Sequence, residues 1–441
     1  MLKPLLFLIL LSCATACNYA QNVVLNPSAN QPIAQPSGTT LAATSLNNVY
    51  AAPPCGITTP PTSCSGFDIG TWISNIFANP ACSSACTVYI PSGHYYYANT
   101  IVFPARDTGN ISLQCAPGTR LTWTGGAGDL FSVIGTGQSK IGHILDGCTF
   151  EGNSSATAGI HLRAVSGGKI SNIISESMPN GDGILNEGAN TIDYDSVTTV
   201  GNRNNVHNVG VTVSGVHYSA NAIHFRGGAI DVAFQWGVFE DGSQAASVGP
   251  NQNNTYEGVV FEENGQTSNY GQAFLESCDQ CAFTHDYFEL SSTQKITSQI
   301  VVGDSAHHAS NPIFIGNFFG TNGAPTTNEI FFYNTQGGVV AFNWDPSGST
   351  KNLVNTNSTA YDLQVEYNFV CCGEKYTAGT GTFNLIWDRD GSGPTFAGNV
   401  TVANGTNTLY RCVTAGALPV GTMTTKPSEC GSAVDTGLRV K

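Results

Sequence analysis

From about residue 140 onward the chain repeats one pattern. A short apolar strand is followed by polar and glycine residues, and a bulky side chain closes each unit. The closing residues are Phe150, Ile174, Val197, Val216, Phe239, Phe261, Phe288, Phe319, Trp344, Phe369 and Val400, at a mean interval of 25 residues. No 3.6-residue periodicity runs through this region, which excludes helical repeats. A β-type period of that length points to a solenoid, in which each coil covers its neighbour. Length agrees, because 441 residues exceed the ~250–300 at which one compact core stops growing. The spacing predicts about 11 coils. Asn317, Asn343, Asn368 and Asn399 directly precede an anchor or lie one residue from it. Identical amides stacked in successive coils are expected to form a ladder.

A stack of coils exposes strand edges and apolar core at its ends. Ile69, Trp72, Ile73, Ile76 and Phe77 form one apolar stripe at helical spacing, and Asp68 is placed to cap the helix. This amphipathic helix is suited to cover the N-terminal end. Before it, residues 17–66 read as an extended Pro/Ser/Thr-rich segment with little core of its own. Residues 401–441 are expected to close the far end.

Charged residues make up only 10% of the chain, against about 25% in an average domain. Net charge is −14, which argues against nucleic acid, since binding it requires a basic footprint. Residues 1–16 read as a signal peptide: Lys3, an apolar run Leu5–Leu11, and Ala14-Thr15-Ala16 as the cleavage site. The run is too short to span a bilayer. Leu10-Leu11-Ser12-Cys13 also resembles a lipoprotein signal, so the expected location is secreted or cell-surface, with a lipid anchor as the alternative. Beyond the leader, twelve cysteines fall into six sequence-neighbour pairs, which in an exported chain read as disulfides. Cys278-Asp-Gln-Cys281 with His285 lacks the further ligands that zinc would need.

The helix followed by "VYIPSGHY", "TIVFP" and "ISLQCAPGTRLTW" resembles the opening of pectate-lyase-like right-handed parallel β-helix proteins. The resemblance covers residues 67–400 and implies an all-β, right-handed parallel β-helix. That superfamily includes polysaccharide lyases, glycoside hydrolases, phage tailspikes and proteins without a known reaction, so the fold alone does not fix an activity.

"NGDGI" at 180–184 resembles the Asn-Thr-Asp-Gly motif of polygalacturonases, which are inverting glycosidases using several Asp residues. The family's Asp pair one coil later is here Asn204-Asn205, and its Gly-His-Gly and Arg-Ile-Lys are missing. Asp182 is therefore either a catalytic carboxylate or a residue that caps a glycine turn. Strand alternation also places it on the inward side with Ile184.

Ile160-His-Leu-Arg163 and Ile223-His-Phe-Arg226 share a pattern. If the apolar residues point inward, His161, Arg163, His224 and Arg226 point outward. Ile184-Leu-Asn-Glu187 puts Glu187 in the Arg163 column one coil later, and His207 falls near the His column. Such a strip could hold an acidic sugar through Arg163 and Arg226 while Glu187 or a histidine moves protons. The plain alternative is an exposed face with a cross-strand Arg163–Glu187 ion pair. Weaker candidates are the acids Glu257, Glu262, Glu263, Glu276 and Asp279, the run Asp388-Arg-Asp390, and Trp344 and Trp387 as core or sugar platforms. No pattern identifies a cofactor or metal site.

Two functions stay open on this reading. One is a polysaccharide-degrading glycoside hydrolase or lyase, with Glu187 and Asp182 as catalytic groups and His161, Arg163, His207, His224 and Arg226 as substrate-binding groups. The other is a non-catalytic surface protein that binds glycan through the same face. Oligomeric state is not encoded in any motif.

Overall fold

A computed structural model of the chain describes residues 49–51, most of 68–370, and short strands beyond that to residue 440. The backbone is a parallel β-helix. Within each coil, three strand segments face three sides, and each pairs in parallel with its counterpart in the next coil. One inward column follows the register through Val88, Leu113, Leu145, Ile170, Tyr194, Phe225, Tyr256, Phe283, Phe314, Val340 and Val365. All eleven are buried. The ten steps cover residues 88 to 365, close to 28 per coil rather than the expected 25. In the middle of the column the rings stack along the axis, with centroids 4.3 Å apart for Tyr194–Phe225 and 4.7 Å for Tyr256–Phe283. Apolar burial and ring stacking between coils thus hold the solenoid together.

The N-terminal helix spans Ile69–Ala78. Asp68 caps it by accepting from Thr71 N at 2.7 Å, and its other oxygen accepts from Ala98 N. The apolar stripe is buried, and Phe77 packs edge-on against Phe103 of the first coil at 4.9 Å. Gly70 permits this approach: a Cβ there would lie 2.1 Å from the Asn99 carbonyl oxygen. The leading segment contributes a strand, Val49–Ala51, which pairs in parallel with Cys86–Ile90.

Not every anchor residue faces inward. Phe150, Phe261, Phe288 and Phe319 are buried in a second inward column, as expected. Ile174 is one residue out of phase: Ser175 takes the inward place and Ile174 is exposed. Trp344 is likewise exposed beside buried Asp345. Val216 lies in an antiparallel hairpin, Val211–Val213 with Val216–Tyr218, outside the stack. Phe239 faces outward. Choosing anchors by bulk fails here because a one-residue slip moves a side chain to the other face of a strand.

The amide ladder exists. Asn343 Oδ1 accepts from Asn317 N, and Asn368 Oδ1 accepts from Asn343 N, at 2.9 and 3.0 Å. It extends upstream, where Asn317 Oδ1 accepts from Asp286 N and Asp286 Oδ1 from Val259 N. Asn399's side chain lies outside the described residues. Replacing Asn317 by Ala leaves the buried Asp286 N–H without its acceptor. The expected cost is about 1–3 kcal/mol, read as a lowered denaturant midpoint.

Three of the expected disulfides are formed: Cys82–Cys86, Cys115–Cys148 and Cys278–Cys281. The remaining neighbour pairs lie outside the described residues, as do the leader and most of the C-terminal segment. No helix among the described residues is long and apolar enough to cross a membrane.

Candidate functional site

The third side of the solenoid carries the site. Its strands are Gly128–Asp146 in its first part, Ala156–Ser171 in its first part, Asp182–Glu187, Val206–Val209 and Val238–Asp241, stacked in that order. Ile160, Ile184, Val206 and Val238 are buried in register, so their sequence neighbours His161, Leu185, His207 and Phe239 form one outward row. A second outward row runs Arg163, Glu187, Val209, Asp241. The expected column of Arg163 and Glu187 is therefore present, and His207 lies in the row of His161, two strand spacings away, ~9.6 Å.

These rows bring together two chains of the same form. In the first, His161 bridges two carboxylates: Nδ1 to Asp129 Oδ2 at 2.7 Å and Nε2 to Glu187 Oε2 at 2.9 Å. Thr157 Oγ1 donates to the other Asp129 oxygen, and Arg163 Nε lies 3.5 Å from Glu187 Oε2. In the second, His207 bridges Asp182 Oδ2 through Nδ1 and Asp241 Oδ2 through Nε2, both at 2.9 Å. Arg203 clamps Asp182 through Nε and Nη2 at 2.7–3.1 Å, and Asn204 Nδ2 donates to it at 2.9 Å. Each histidine thus has a rear carboxylate, Asp129 or Asp182, and a front one, Glu187 or Asp241.

The electrostatics follow from this pairing. Burial alone would lower the pKa of His161, but the hydrogen bonds and charges of Asp129 and Glu187 raise it from 6.5 to about 9. His207 is likewise raised to about 9 against its burial, by Asp182 and Asp241. Burial pushes Asp182 up, yet the His207 hydrogen bond and charge and the Arg203 guanidinium bring it below the ordinary carboxylate value. Asp129 and Asp241 are lowered in the same way by their histidines. Glu187 is lowered mainly by its His161 hydrogen bond. Both imidazoles are therefore cationic and all four acids ionised near neutral pH.

A pH dependence with a definite sign results. For a group whose folded pKa is raised, stabilisation is fully present below the unfolded pKa and is lost as pH rises through the folded value. The two histidines, raised from 6.5 to about 9, should make the thermal midpoint fall across that window. Replacing both by Gln should flatten the fall. Scanning the midpoint against pH for both proteins checks it.

The second chain opens into a cleft of about 610 Å³. Asp182, Glu187, Arg203, His207 and Asp241 line it, with Leu185 and Val209 in its floor. Its walls are the start of the hairpin, Gly210 to Thr212, and Ser243-Gln244 beside the short helix Ala245–Val248. Gly210 lets the walls meet, since a Cβ there would lie 2.1 Å from Val248 Cγ2.

The structure places the expected residues unevenly. Glu187, His161, Arg163, His207 and Asp182 converge. Asp182 does not cap a turn: its side chain is 2% exposed and holds Arg203 and His207. His224 and Arg226 do not join the strip. Their strand belongs to a different side of the coil, where His224 pairs with Asp193 and Arg226 with Asp195 in register. His224 Nδ1 meets Thr255 Oγ1 at 2.7 Å, and Arg226 lies 3.4 Å from Asp193. The repeated Ile-His-x-Arg pattern thus occurs on two different faces.

Asp129, Arg203 and Asp241 were not singled out from sequence. Asp241 had a signal: aligning Ile184–Glu187, Val206–Val209, Val238–Asp241 and Ala273–Glu276 as four-residue strands puts Glu187, Asp241 and Glu276 in one position. Asn204, where the polygalacturonase motif has an acid, donates to Asp182 instead. Of the weaker candidates, Glu276 approaches His307 and Asp304, with ligand-type atoms within 4.8 Å of one another. Glu276 Oε2 already accepts from Gly242 N, and Asp304 Oδ1 from His307 N. Glu240, Cys278 and Cys281 form another such group, but its sulfurs are joined as a disulfide. The side chains of Trp387, Asp388 and Asp390 lie outside the described residues.

No protein-family model and no curated protein sequence matches the chain. Solved structures do. The Streptococcus pneumoniae surface adhesin PfbA aligns at TM-score 0.54 and 9% identity, over 82% of this chain and 96% of that one. ORF18 of Geobacillus virus E2 aligns at TM-score 0.50 and 15% identity, over 74% of this chain. This chain spans only 58% of that viral protein's length. A mannuronan C-5 epimerase module from Azotobacter vinelandii is more distant, at TM-score 0.38 and 11% identity, over 77% of this chain and 95% of the module. At these identities the likeness shows the fold, the parallel β-helix of pectin-lyase-fold proteins, and no activity.

Proposed function

We propose that this chain acts on polysaccharide outside the cell by acid–base cleavage of a glycosidic bond in the cleft. The observation that carries this reading is the pair of carboxylate–imidazolium–carboxylate chains on one face. Their front carboxylates, Glu187 and Asp241, stand two strand spacings apart, ~9.6 Å between backbones. Both line the same cleft with one strand between them, and a gap between the two carboxyl groups that admits a water is what an inverting glycosidase needs.

The roles follow from exposure and bonding. Glu187 is the more accessible carboxylate, at 27% against 13% for Asp241. It takes a proton from the attacking water as the water oxygen bonds to the anomeric carbon. The glycosidic oxygen leaves with a proton delivered through Asp241 from Nε2 of cationic His207. Asp182 and Asp129 hold the two rings in orientation. The disulfides and the leader-like first residues support action outside the cell.

A second reading, a non-catalytic glycan-binding surface protein, is favoured by one observation. All four acids are held ionised by their partners, so no carboxyl is kept as a free acid. The likeness to a surface adhesin accords with it.

The test is a polysaccharide panel assayed for new reducing ends and for unsaturated uronate. New reducing ends without unsaturated products are expected. Binding without turnover would favour the second reading, and neither binding nor turnover would remove both.

A further inference from the structure

The outward row that contains the histidines changes character at His207. On one side it holds Ser132, His161 and Leu185, and on the other Phe239, Phe274 and Val301, one per coil. His207 stacks on Phe239 with centroids 5.1 Å apart, and Phe239 on Phe274 at 5.6 Å. Trp236 flanks Phe274 at 5.0 Å. Phe239, Phe274 and Val301 are all partly exposed. Aromatic side chains thus sit on the outer surface, continuous with the cleft and aligned with the solenoid axis.

The cleft itself is poorly matched to an anionic chain. Its lining carries three carboxylates, Asp182, Glu187 and Asp241, against two cations, Arg203 and His207. Both cations are already bound to those carboxylates. The other nearby cations, His161 and Arg163, both face Glu187, and His161 is held by Asp129 as well. The whole chain adds a net charge of −14, which repels a polyanion at low salt.

We propose that Phe239 and Phe274 form a subsite for the sugar units that extend from the cleft, and that the ligand is a neutral polysaccharide. Pyranose rings present C–H faces that gain by leaving water against aromatic carbon. The row runs in the direction a chain must take to leave the cleft along the axis. This inference rests on the polysaccharide reading of the cleft and assigns its substrate class.

The experiment is affinity electrophoresis of the full chain in gels containing a neutral β-glucan, galactomannan or α-glucan, against gels containing polygalacturonate or alginate. The wild-type protein and the variants Phe239→Leu, Phe274→Leu and Phe239→Ala/Phe274→Ala are compared, with thermal midpoints taken on each. The expected result is retardation by at least one neutral polymer, insensitive to salt. The Leu variants, which keep aliphatic bulk and fold, should weaken it several-fold, and the double Ala variant at least tenfold. Salt-sensitive binding to the anionic polymers with the ring variants unchanged would overturn the proposal. Binding to no polymer would also overturn it, as would neutral-polymer binding that the folded Leu variants leave intact. Turnover is read separately: binding that depends on the rings without any cleavage counts against the proposed reaction and not against the subsite.

Discussion

Replacing Glu187 by Gln is expected to lower turnover by about 10²- to 10⁴-fold, the usual contribution of a positioned proton-transfer group. Stability near neutral pH should fall by about 1–2 kcal/mol, since each unit lost from the pKa of His161 is worth ~1.4 kcal/mol. Glu187 is the accessible end of the first chain; among the described residues its carboxylate is bonded by His161 and approached by Arg163. The amide keeps shape and can still accept from His161 Nε2, but it cannot take a proton from water. The imidazolium also loses one of its two anionic neighbours, so the His161 pKa should fall from about 9 toward its ordinary value. Steady-state rates on any polymer of the panel that yields new reducing ends, with a pH titration of the His161 ring, check both parts. A variant with unchanged rate would remove Glu187 from the reaction.

Asp182→Ala has the opposite profile. This carboxylate is buried and accepts five hydrogen bonds, from Arg203, Asn204 and His207. Truncating it leaves a guanidinium, an imidazolium and a buried amide without their acceptor. Breaking a buried pair costs ~3–5 kcal/mol, and the low end applies because Arg203 is 39% exposed and can turn to water. A lowered denaturant midpoint measures it. The wild-type protein should show the same linkage with acid. Because the folded pKa of Asp182 is depressed, its stabilisation is present above the unfolded value and is lost as pH falls through the folded one.

The architecture was legible because it rests on local rules. Alternation along a strand identified Glu187 and Arg163 as column neighbours and placed Asp182 inward. Stacked identical residues identified the amide ladder, and one apolar stripe identified the helix. The misplacement of His224 and Arg226 has a cause of its own, apart from the one-residue slips at Ile174 and Trp344. Each coil has three sides and a variable length, so equal spacing does not mean the same face. His224 and Arg226 carry the same pattern as His161 and Arg163, 63 residues on, yet they stand on another side. Val216 looked like a strand of the stack because an inserted hairpin uses the same alternation. Arg203 could not be read as a partner of Asp182, since its strand neighbours reveal nothing of where a turn residue reaches. Asp241 was readable only after strands were aligned four residues at a time, and Asp129 only from the register that puts it level with Asp182, two residues before an inward side chain.

On the proposed reaction, a polysaccharide lies across the two front carboxylates and is cut there. The most direct measurement is a crystal structure of the Asp241→Asn protein with an oligosaccharide from the polymer it retains. The expected result is one glycosidic oxygen within about 2.6–3.2 Å of the residue 241 side chain, a water between Glu187 and the anomeric carbon, and further sugars over Phe239 and Phe274. An oligosaccharide seated on another side of the solenoid, or in the cleft with no glycosidic bond between Glu187 and residue 241, would contradict it.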